Sequence, residues 1–177
     1  MEKQIVSIVA KSGTGKTTLL EKLIAVLKAR SYRIGALKHD AHQFEIDHEN
    51  KDSWRLTQAG ADTMVITSSA KVAMVKRNPY NIEPDVRDLV DLYFQDVDLV
   101  LTEGFKRNTF PKIEVHRKKR SPSLLCRGEE YDETLLAVAS DEVLDVDVPV
   151  FEINDATGIC DLIETRFLKG CKHGTVI

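Results

Sequence analysis

The sequence predicts an α/β fold, in which a mostly parallel sheet carries helices on both faces and added antiparallel hairpin strands. Three observations lead to this prediction: β-branched runs alternate with helical patterns, a glycine turn joins the first strand to the first helix, and two short strands follow each other near the middle. Alternating strands and helices are typical of parallel sheets, whereas closely spaced strands form hairpins. At 177 residues, we expect a single domain over 1–177.

Each element is assigned from its hydrophobic period and its boundary residues. Apolar residues at helical spacing indicate the first helix, Pro84 can start a later one, and Asp155 is a suitable N-cap for the last. In the first half we predict strand 5–10, helix 16–30, strand 34–38, loop 39–50, helix 52–59 and hairpin strands 63–67 and 71–76. In the second half we predict helix 84–95, strand 97–102, an exposed strand 112–117, strands 135–140 and 150–153, and helix 156–168.

Composition excludes several classes of protein. Hydrophobic residues are 42% and charged residues 30%, which is typical of globular proteins, and the net charge of -3 does not favour delocalised nucleic-acid binding. No apolar run approaches the roughly 18 residues of a membrane helix. The three cysteines, Cys126, Cys160 and Cys171, fit neither a disulfide framework nor paired zinc ligands. We therefore expect a cytoplasmic protein with no nucleic-acid and no membrane partner.

A phosphate-binding motif occupies the turn after the first strand. Residues 10–17, AKSGTGKT, match the P-loop pattern G-x-x-x-x-G-K-[ST] with Ala10 in place of the first glycine. Its glycines let consecutive N–H groups point into one concavity, so a P-loop NTPase-like fold that binds a triphosphate is predicted. Lys16 would reach the β- and γ-phosphates, and Thr17 would bind Mg²⁺. The candidate nucleotide-binding residues of the loop are Lys11, Ser12, Gly13, Thr14, Gly15, Lys16, Thr17 and Thr18.

An acidic residue at the end of a neighbouring buried strand would complete this site by holding or orienting magnesium. Glu103 follows the run VDLVLT, and we favour it over Asp98, which lies near the start of that strand. Asp40 follows the second strand and could approach the metal or cap its loop. We therefore predict Lys16 and Glu103 as catalytic residues, and Thr17, Glu103 and Asp40 as metal ligands.

Other charged residues admit two interpretations. Lys11 occupies the place where deviant Walker A ATPases carry a lysine that reaches a partner subunit's phosphate, although a solvated lysine is favoured. The run from His116 to Arg120 could receive a phosphate or an acidic partner, yet such basic runs usually form a solvated face. A metal site could also be drawn in loop 39–50 from His39, His42 and His48 with Asp40, Glu45 and Asp47. Their spacing fits no strong ligand pattern, so a polar active-site loop is favoured.

Recognition of the base is weakly encoded, because the Asn-Lys-x-Asp signature is absent. Asp141 and Asn154 follow strands and could face a base, and an aspartate that accepts from guanine N1 and N2 would favour GTP. Helix capping explains the neighbouring Asp155 equally well.

The sequence resembles the MobB family of molybdopterin-guanine dinucleotide biosynthesis adaptor proteins. The resemblance spans most of the chain and is carried by the motifs SGTGKTT at 12–18, GALKH at 35–39, KDS at 51–53 with Arg55 and AGA at 59–61, EGFK at 103–106, AVASD at 137–141 and IND at 153–155. It implies a GTP-binding homodimer with weak, Mg²⁺-dependent GTPase activity. Such a protein assists the molybdenum cofactor guanylyltransferase in attaching GMP to molybdopterin, with molybdopterin itself as a second candidate partner. It also implies dimerisation through the hairpin region and the strand around Ile113, for which an ordinary edge strand with basic residues is the alternative.

The motif regions offer no obvious general base or arginine finger, so we expect slow hydrolysis. The loop is also compatible with a small-molecule kinase or ATP-dependent ligase, which would need an acceptor pocket and, in many kinases, an arginine-bearing lid. Only the run 117–120 clusters the required charges. A nickel-delivery GTPase is disfavoured, because the sequence has no His-rich tract and no paired Cys ligands.

Overall fold

The computed structural model describes residues 3–39, 44–128 and 131–169. Strands and helices alternate over most of the chain, as predicted. In chain order the elements are β1 Gln4–Val9, α1 Lys16–Ala29, β2 Ile34–Lys38, α2 Asp52–Gln58, β3 Thr63–Thr67, β4 Val72–Lys76, a short 3-10 turn Pro79–Asn81, α3 Val86–Tyr93, β5 Leu99–Glu103, β6 Lys112–His116, β7 Leu135–Ser140, β8 Val150–Glu152, α4 Ala156–Ile163 and a π-helical turn Glu164–Leu168.

The chain divides into two compact units, residues 1–39 with 90–177, and residues 40–89. The first unit contains a six-stranded sheet in the order β2-β5-β1-β6-β7-β8. Every neighbouring pair in this sheet is parallel. The predicted parallel sheet is therefore confirmed, whereas the expectation of a single domain over 1–177 stays a prediction.

Helices α1 and α4 cover one face of the six-stranded sheet. Leu23 and Leu27 of α1 and Ile159 and Ile163 of α4 are fully buried in one cluster with strand residues such as Ile8. Their spacing of four places each pair on one side of its helix, which explains why the helical periodicity was visible in the sequence.

Residues outside the helices cover part of the opposite face of the sheet. Next to β2, Phe94 follows α3 and lies so close to Gly35 that a Cβ there would come within 2.3 Å of its ring. Around β7, Leu124 and Cys126 come from irregular segments and pack with Val9 and Val138. Glycine is thus required at position 35 by close packing of the ring on the strand.

The prediction of an exposed strand over 112–117 is wrong. Strand β6 pairs with β1 on one side and β7 on the other, and all five of its residues are buried. Its polar residues alternate with apolar ones, a pattern that normally indicates one solvated face. Because both edges are already paired, the strand around Ile113 offers no free edge for pairing with a second chain.

Distant partners satisfy the buried polar residues of β6. The Lys112 ammonium lies 2.8 Å from a carboxylate oxygen of Asp132, and His116 Nε2 lies 2.9 Å from Glu142 Oε1. The Glu114 carboxylate accepts hydrogen bonds from the backbone N–H groups of residues 125 and 126, at 2.6 and 2.9 Å. A buried polar group is stable when it is hydrogen-bonded in this way. The alternation of polar and apolar residues in β6 therefore reflects buried hydrogen-bond partners and not a solvated face.

The second unit contains α2 and the predicted hairpin. Strands β3 and β4 pair antiparallel with Val65 opposite Met74, and Ser68 N donates to Lys71 O at 2.9 Å in the connecting turn. The hairpin forms a separate two-stranded sheet and does not extend the parallel one. The predicted hairpin is confirmed.

Some predicted boundaries shift by one to two residues. Strand β5 spans Leu99–Glu103 rather than 97–102, and Glu103 is therefore its last residue. Helix α3 starts two residues after Pro84, at Val86. Asp155 caps α4, since its Oδ1 accepts a hydrogen bond from Gly158 N at 2.9 Å. In the described part of the chain, no helix has the length and apolar character needed to cross a bilayer.

Candidate nucleotide-binding site

The loop between β1 and α1 has the backbone conformation that phosphate binding requires. Gly13 and Gly15 have positive φ values of 73° and 103°, a region that side chains other than glycine rarely adopt. The Thr14 hydroxyl is buried and donates to the Lys11 carbonyl at 2.9 Å, which closes the loop on itself. Gly15 is the N-cap of α1 and, within the described residues, no side-chain hydrogen bond caps the start of this helix. The N–H groups of the first turn of α1 are therefore available to an anion.

The described residues that are predicted to bind phosphate and metal lie around this turn. Lys16 begins α1 and is half-buried, whereas Ser12, Thr17 and Thr18 are exposed. The Thr17 hydroxyl lies 3.1 and 3.0 Å from the two carboxylate oxygens of Glu103. Both residues supply the hard oxygen donors that Mg²⁺ prefers, so this pair fits a magnesium ion bound with a nucleotide.

The position of Glu103 follows from the sheet topology. Strands β1 and β5 are parallel neighbours, with Ile8 opposite Glu103, so the carboxyl end of β5 lies beside the start of the loop. His39 N donates to the Glu103 carbonyl at 3.0 Å, and Gly104 N donates to the Ile8 carbonyl at 3.2 Å. These bonds hold the end of β5 between its two neighbours and fix the backbone that carries the carboxylate.

The two residues after Glu103 adopt an uncommon backbone conformation. Gly104 and Phe105 both have positive φ, 96° and 51°. A Cβ at Gly104 would come within 3.3 Å of His39 Cβ, and the Phe105 ring packs 5.1 Å from the His39 ring. The Glu-Gly-Phe and Lys-His motifs noted in the sequence therefore meet at one corner of the site.

Asp98, the rejected alternative to Glu103, lies at the opposite end of β5. Its Oδ2 accepts a hydrogen bond from Arg33 N at 2.8 Å, and its Oδ1 lies 3.2 Å from the Arg33 guanidinium. Asp98 thus joins the start of β5 to the chain before β2 and is not at the loop. Asp40, the third predicted metal ligand, His42 of the histidine-containing loop, and Cys171 lie outside the described residues.

The two candidate base-facing residues follow β7 and β8. Asp141 Oδ1 accepts a hydrogen bond from Lys118 N at 2.9 Å, and its Oδ2 lies 3.6 Å from Arg117. Asn154 Oδ1 accepts a hydrogen bond from the Lys22 ammonium of α1 at 2.7 Å. Both side chains are held at the carboxyl edge of the sheet, where ligands of such sheets bind.

Sequence reasoning missed how closely the basic run approaches the loop. Arg117 Nε donates to the Thr14 carbonyl at 2.8 Å, and the Arg120 guanidinium lies next to Gly13. The run follows β6, and β6 is the neighbour of β1. The strand order that brings them together could not be read from the sequence.

The central strand of the parallel sheet leads into a glycine-rich loop and a helix, and an acidic residue from the adjacent strand lies at the threonine of that loop. This combination defines a protein with a P-loop NTPase-like fold. Comparison with known proteins gives the family. The family model described as "Molybdopterin guanine dinucleotide synthesis protein B" matches residues 5–141, and the chain belongs to this MobB family. The resemblance drawn from the sequence is confirmed.

Curated relatives and solved structures agree with this assignment. The chain is 38% identical over 161 residues to the molybdopterin-guanine dinucleotide biosynthesis adapter protein of Haemophilus influenzae, which covers 90% of this chain and 87% of the relative. It is 38% identical over 162 residues to the Escherichia coli adapter protein, covering 90% of each. A crystal structure of molybdopterin-guanine biosynthesis protein B superimposes with a TM-score of 0.72 at 29% identity, covering 93% of this chain and 99% of the other. Bacillus subtilis MobB gives 0.73 at 26% identity, covering 93% and 98%.

Proposed function

We propose that this protein is a GTP-binding accessory protein of molybdenum cofactor biosynthesis. It assists the attachment of GMP to molybdopterin by the molybdenum cofactor guanylyltransferase, which forms the guanine dinucleotide cofactor, and it acts in the cytoplasm. Its family, and the adapter proteins that match 90% of the chain, support this role. The main observation that supports nucleotide binding is the contact between Thr17 and Glu103 beside the P-loop.

In this proposal the loop residues 11–18 hold the phosphates through N–H groups and the Lys16 ammonium. Thr17 and Glu103 hold the hydrated magnesium ion, with Asp40 as a third candidate. The bound ion would offset charge on the phosphate oxygens. Lys16 and Glu103 are the candidate catalytic residues, and we expect the intrinsic GTPase activity to be weak.

We also propose that Asp141 contacts the guanine base. Its carboxylate has about four lone-pair positions, of which the Lys118 N–H and the Arg117 side chain use two at most. It can therefore still accept from guanine N1 and N2, which adenine cannot match because its N1 carries no hydrogen. Asn154, two residues after the end of the neighbouring strand β8, is the second candidate.

The hairpin supports the proposed homodimer. Val65, Val72 and Met74 project from one face of the β3–β4 sheet because of their cross-strand register, and they are 55%, 68% and 39% exposed. Strand β3 packs against α2 and its Met64 is buried, whereas the Val65 face of the hairpin stays exposed. Burial of this apolar face by a second copy of the chain would stabilise the hairpin. Val65→Glu should weaken a dimer measured by sedimentation, whereas Val143→Glu, at a position 98% exposed in the first unit, should not.

The test of the proposed function is a reconstituted reaction. Purified guanylyltransferase, molybdopterin, GTP and Mg²⁺ are combined with or without this protein, and the guanine dinucleotide formed is measured by chromatography. We expect the wild-type protein to raise the yield, and Lys16→Ala to abolish the gain. A yield that does not depend on the protein would contradict the proposal. Phosphorylation of a small acceptor by the protein alone would instead support the kinase alternative.

A further inference from the structure

The basic turn Arg117 to Arg120 is the sequence feature that the proposed function leaves unused. It begins directly after β6 and folds as a tight turn, in which Arg120 N donates to the Arg117 carbonyl at 2.8 Å and Ser121 N donates to the same oxygen at 3.1 Å. The side chains of Arg117 and Arg120 both lie against the P-loop, at Thr14 and Gly13 respectively.

Arg117 docks this turn on the loop. Its Nε donates to the Thr14 carbonyl at 2.8 Å, and its NH2 lies 3.7 Å from the position that a Cβ at Gly15 would take. Its NH1 lies 3.6 Å from the Asp141 carboxylate. The guanidinium therefore has protein partners on two sides and holds the turn, the loop and the end of β7 together.

Arg120 lies on the same loop without such partners. Its Cζ is 3.7 Å, and its Nε and NH1 are 3.9 Å, from the position of a Cβ at Gly13. In residues 3–39, 44–128 and 131–169, its guanidinium makes no hydrogen bond and no ion pair. Lys118 of the same turn differs, because its ammonium lies 3.1 Å from Glu142.

A positive charge next to this loop favours a bound polyphosphate. Arginine is permanently charged, and its planar fork of N–H donors matches the oxygens of a phosphate group. The P-loop next to Arg120 carries the N–H groups and the lysine proposed to bind phosphate. The anion expected beside Arg120 is therefore the nucleotide itself.

We propose that Arg120 binds the phosphate oxygens of the nucleotide held in the P-loop, and that Arg117 docks the turn so that this contact can form. The inference rests on the proposed nucleotide binding and adds a binding residue to that same site. It assigns the basic run a role within its own subunit, in place of a solvated face or a docking site for an acidic partner.

The test compares Arg120→Ala with Lys119→Ala, its exposed neighbour in the same turn, by calorimetric titration of the full chain with GTP and Mg²⁺. Hydrogen bonds to charged groups are strong, so we expect Arg120→Ala to lower GTP affinity about 10- to 100-fold. Lys119→Ala should change it by less than about twofold, and Arg120→Lys should fall between them because it keeps the charge but loses the fork.

Thermal melts of each variant check that the fold is retained, which we expect because Arg120 is exposed. Equal GTP affinities for Arg120→Ala and Lys119→Ala would overturn the inference and leave the proposed function intact. A wild-type protein that binds no GTP would overturn both, and so the two failures are distinguishable.

Discussion

The Thr17 hydroxyl lies within hydrogen-bond distance of both oxygens of the Glu103 carboxylate, although the two residues are 86 positions apart in the chain. Thr17 belongs to the first turn of α1, and Glu103 ends the strand beside β1. The contact therefore joins the loop that would cradle the phosphates to the acid that would hold their magnesium ion. Several expected properties of the protein depend on this arrangement and on its buried surroundings.

Replacement of Glu103 tests its role at the magnesium ion. We expect Glu103→Gln to lower the affinity for GTP in the presence of Mg²⁺, or the rate of hydrolysis, by about 10-fold or more, because residues that hold or orient a metal commonly have effects of this size. Asp98→Asn is the control on the same strand, at the end away from the loop. Titrations with and without Mg²⁺ measure both variants. A larger loss for Asp98→Asn would contradict the assignment.

The buried carboxylate of Glu114 should be important for stability. It is 2% exposed and accepts two backbone hydrogen bonds from the segment that covers β6. Glu114→Ala leaves both N–H groups without an acceptor, which should lower the free energy of unfolding by about 3 kcal/mol. Glu114→Gln should cost less, because the amide oxygen can still accept. Urea denaturation measures these changes, and Glu21→Ala on the exposed side of α1 is the control. Equal stabilities for Glu114→Ala and Glu21→Ala would contradict this account of β6.

The Glu142 carboxylate should make the fold sensitive to acid. Hydrogen bonds from His116, and then from Lys118, lower the pKa of Glu142 below its ordinary value of 4.5. A carboxyl group whose pKa is lowered by folding stabilises the fold above its ordinary pKa, and this contribution is lost as pH falls through the lower folded value. The stability difference between wild type and Glu142→Gln should therefore be larger at about pH 6 than at about pH 3. Urea unfolding at both pH values measures it, and a difference that does not change with pH would refute the assignment.

Two thiols should resist alkylation in the folded protein. Burial raises the pKa of both Cys126 and Cys160 to about 12. The thiolate is the reactive form, so at about pH 8 both should react far more slowly with iodoacetamide than in the urea-unfolded chain. Peptide mapping by mass spectrometry gives the rate at each position. Similar rates in the folded and unfolded protein would show that the two sites are open to solvent.

Local patterns predicted most of the fold and part of the site. An apolar run, a glycine turn and a helical repeat are contiguous in the sequence, so β1, the P-loop and α1 could be assigned from it. Glu103 could be preferred over Asp98 because the direction of a parallel strand determines which of its ends faces the ligand.

Long-range relationships could not be predicted in the same way. The polar residues of β6 indicated an exposed strand, because partners such as Asp132 and Glu142 are distant in sequence. The proximity of Arg117 to Thr14 depends on β6 lying next to β1, and strand order has no local signature. The environment of β6 and the position of the basic turn were both missed because their partners are distant in sequence.

The most direct test of the central claim is a calorimetric titration of the purified protein with GTP and then with ATP, each with Mg²⁺. Lys16→Ala is the test variant, and Lys28→Ala, an exposed lysine near the other end of α1, is the control. We predict a preference for GTP that is lost in Lys16→Ala and kept in Lys28→Ala. A preference for ATP, or an affinity unchanged by Lys16→Ala, would contradict the assignment of a GTP-binding P-loop.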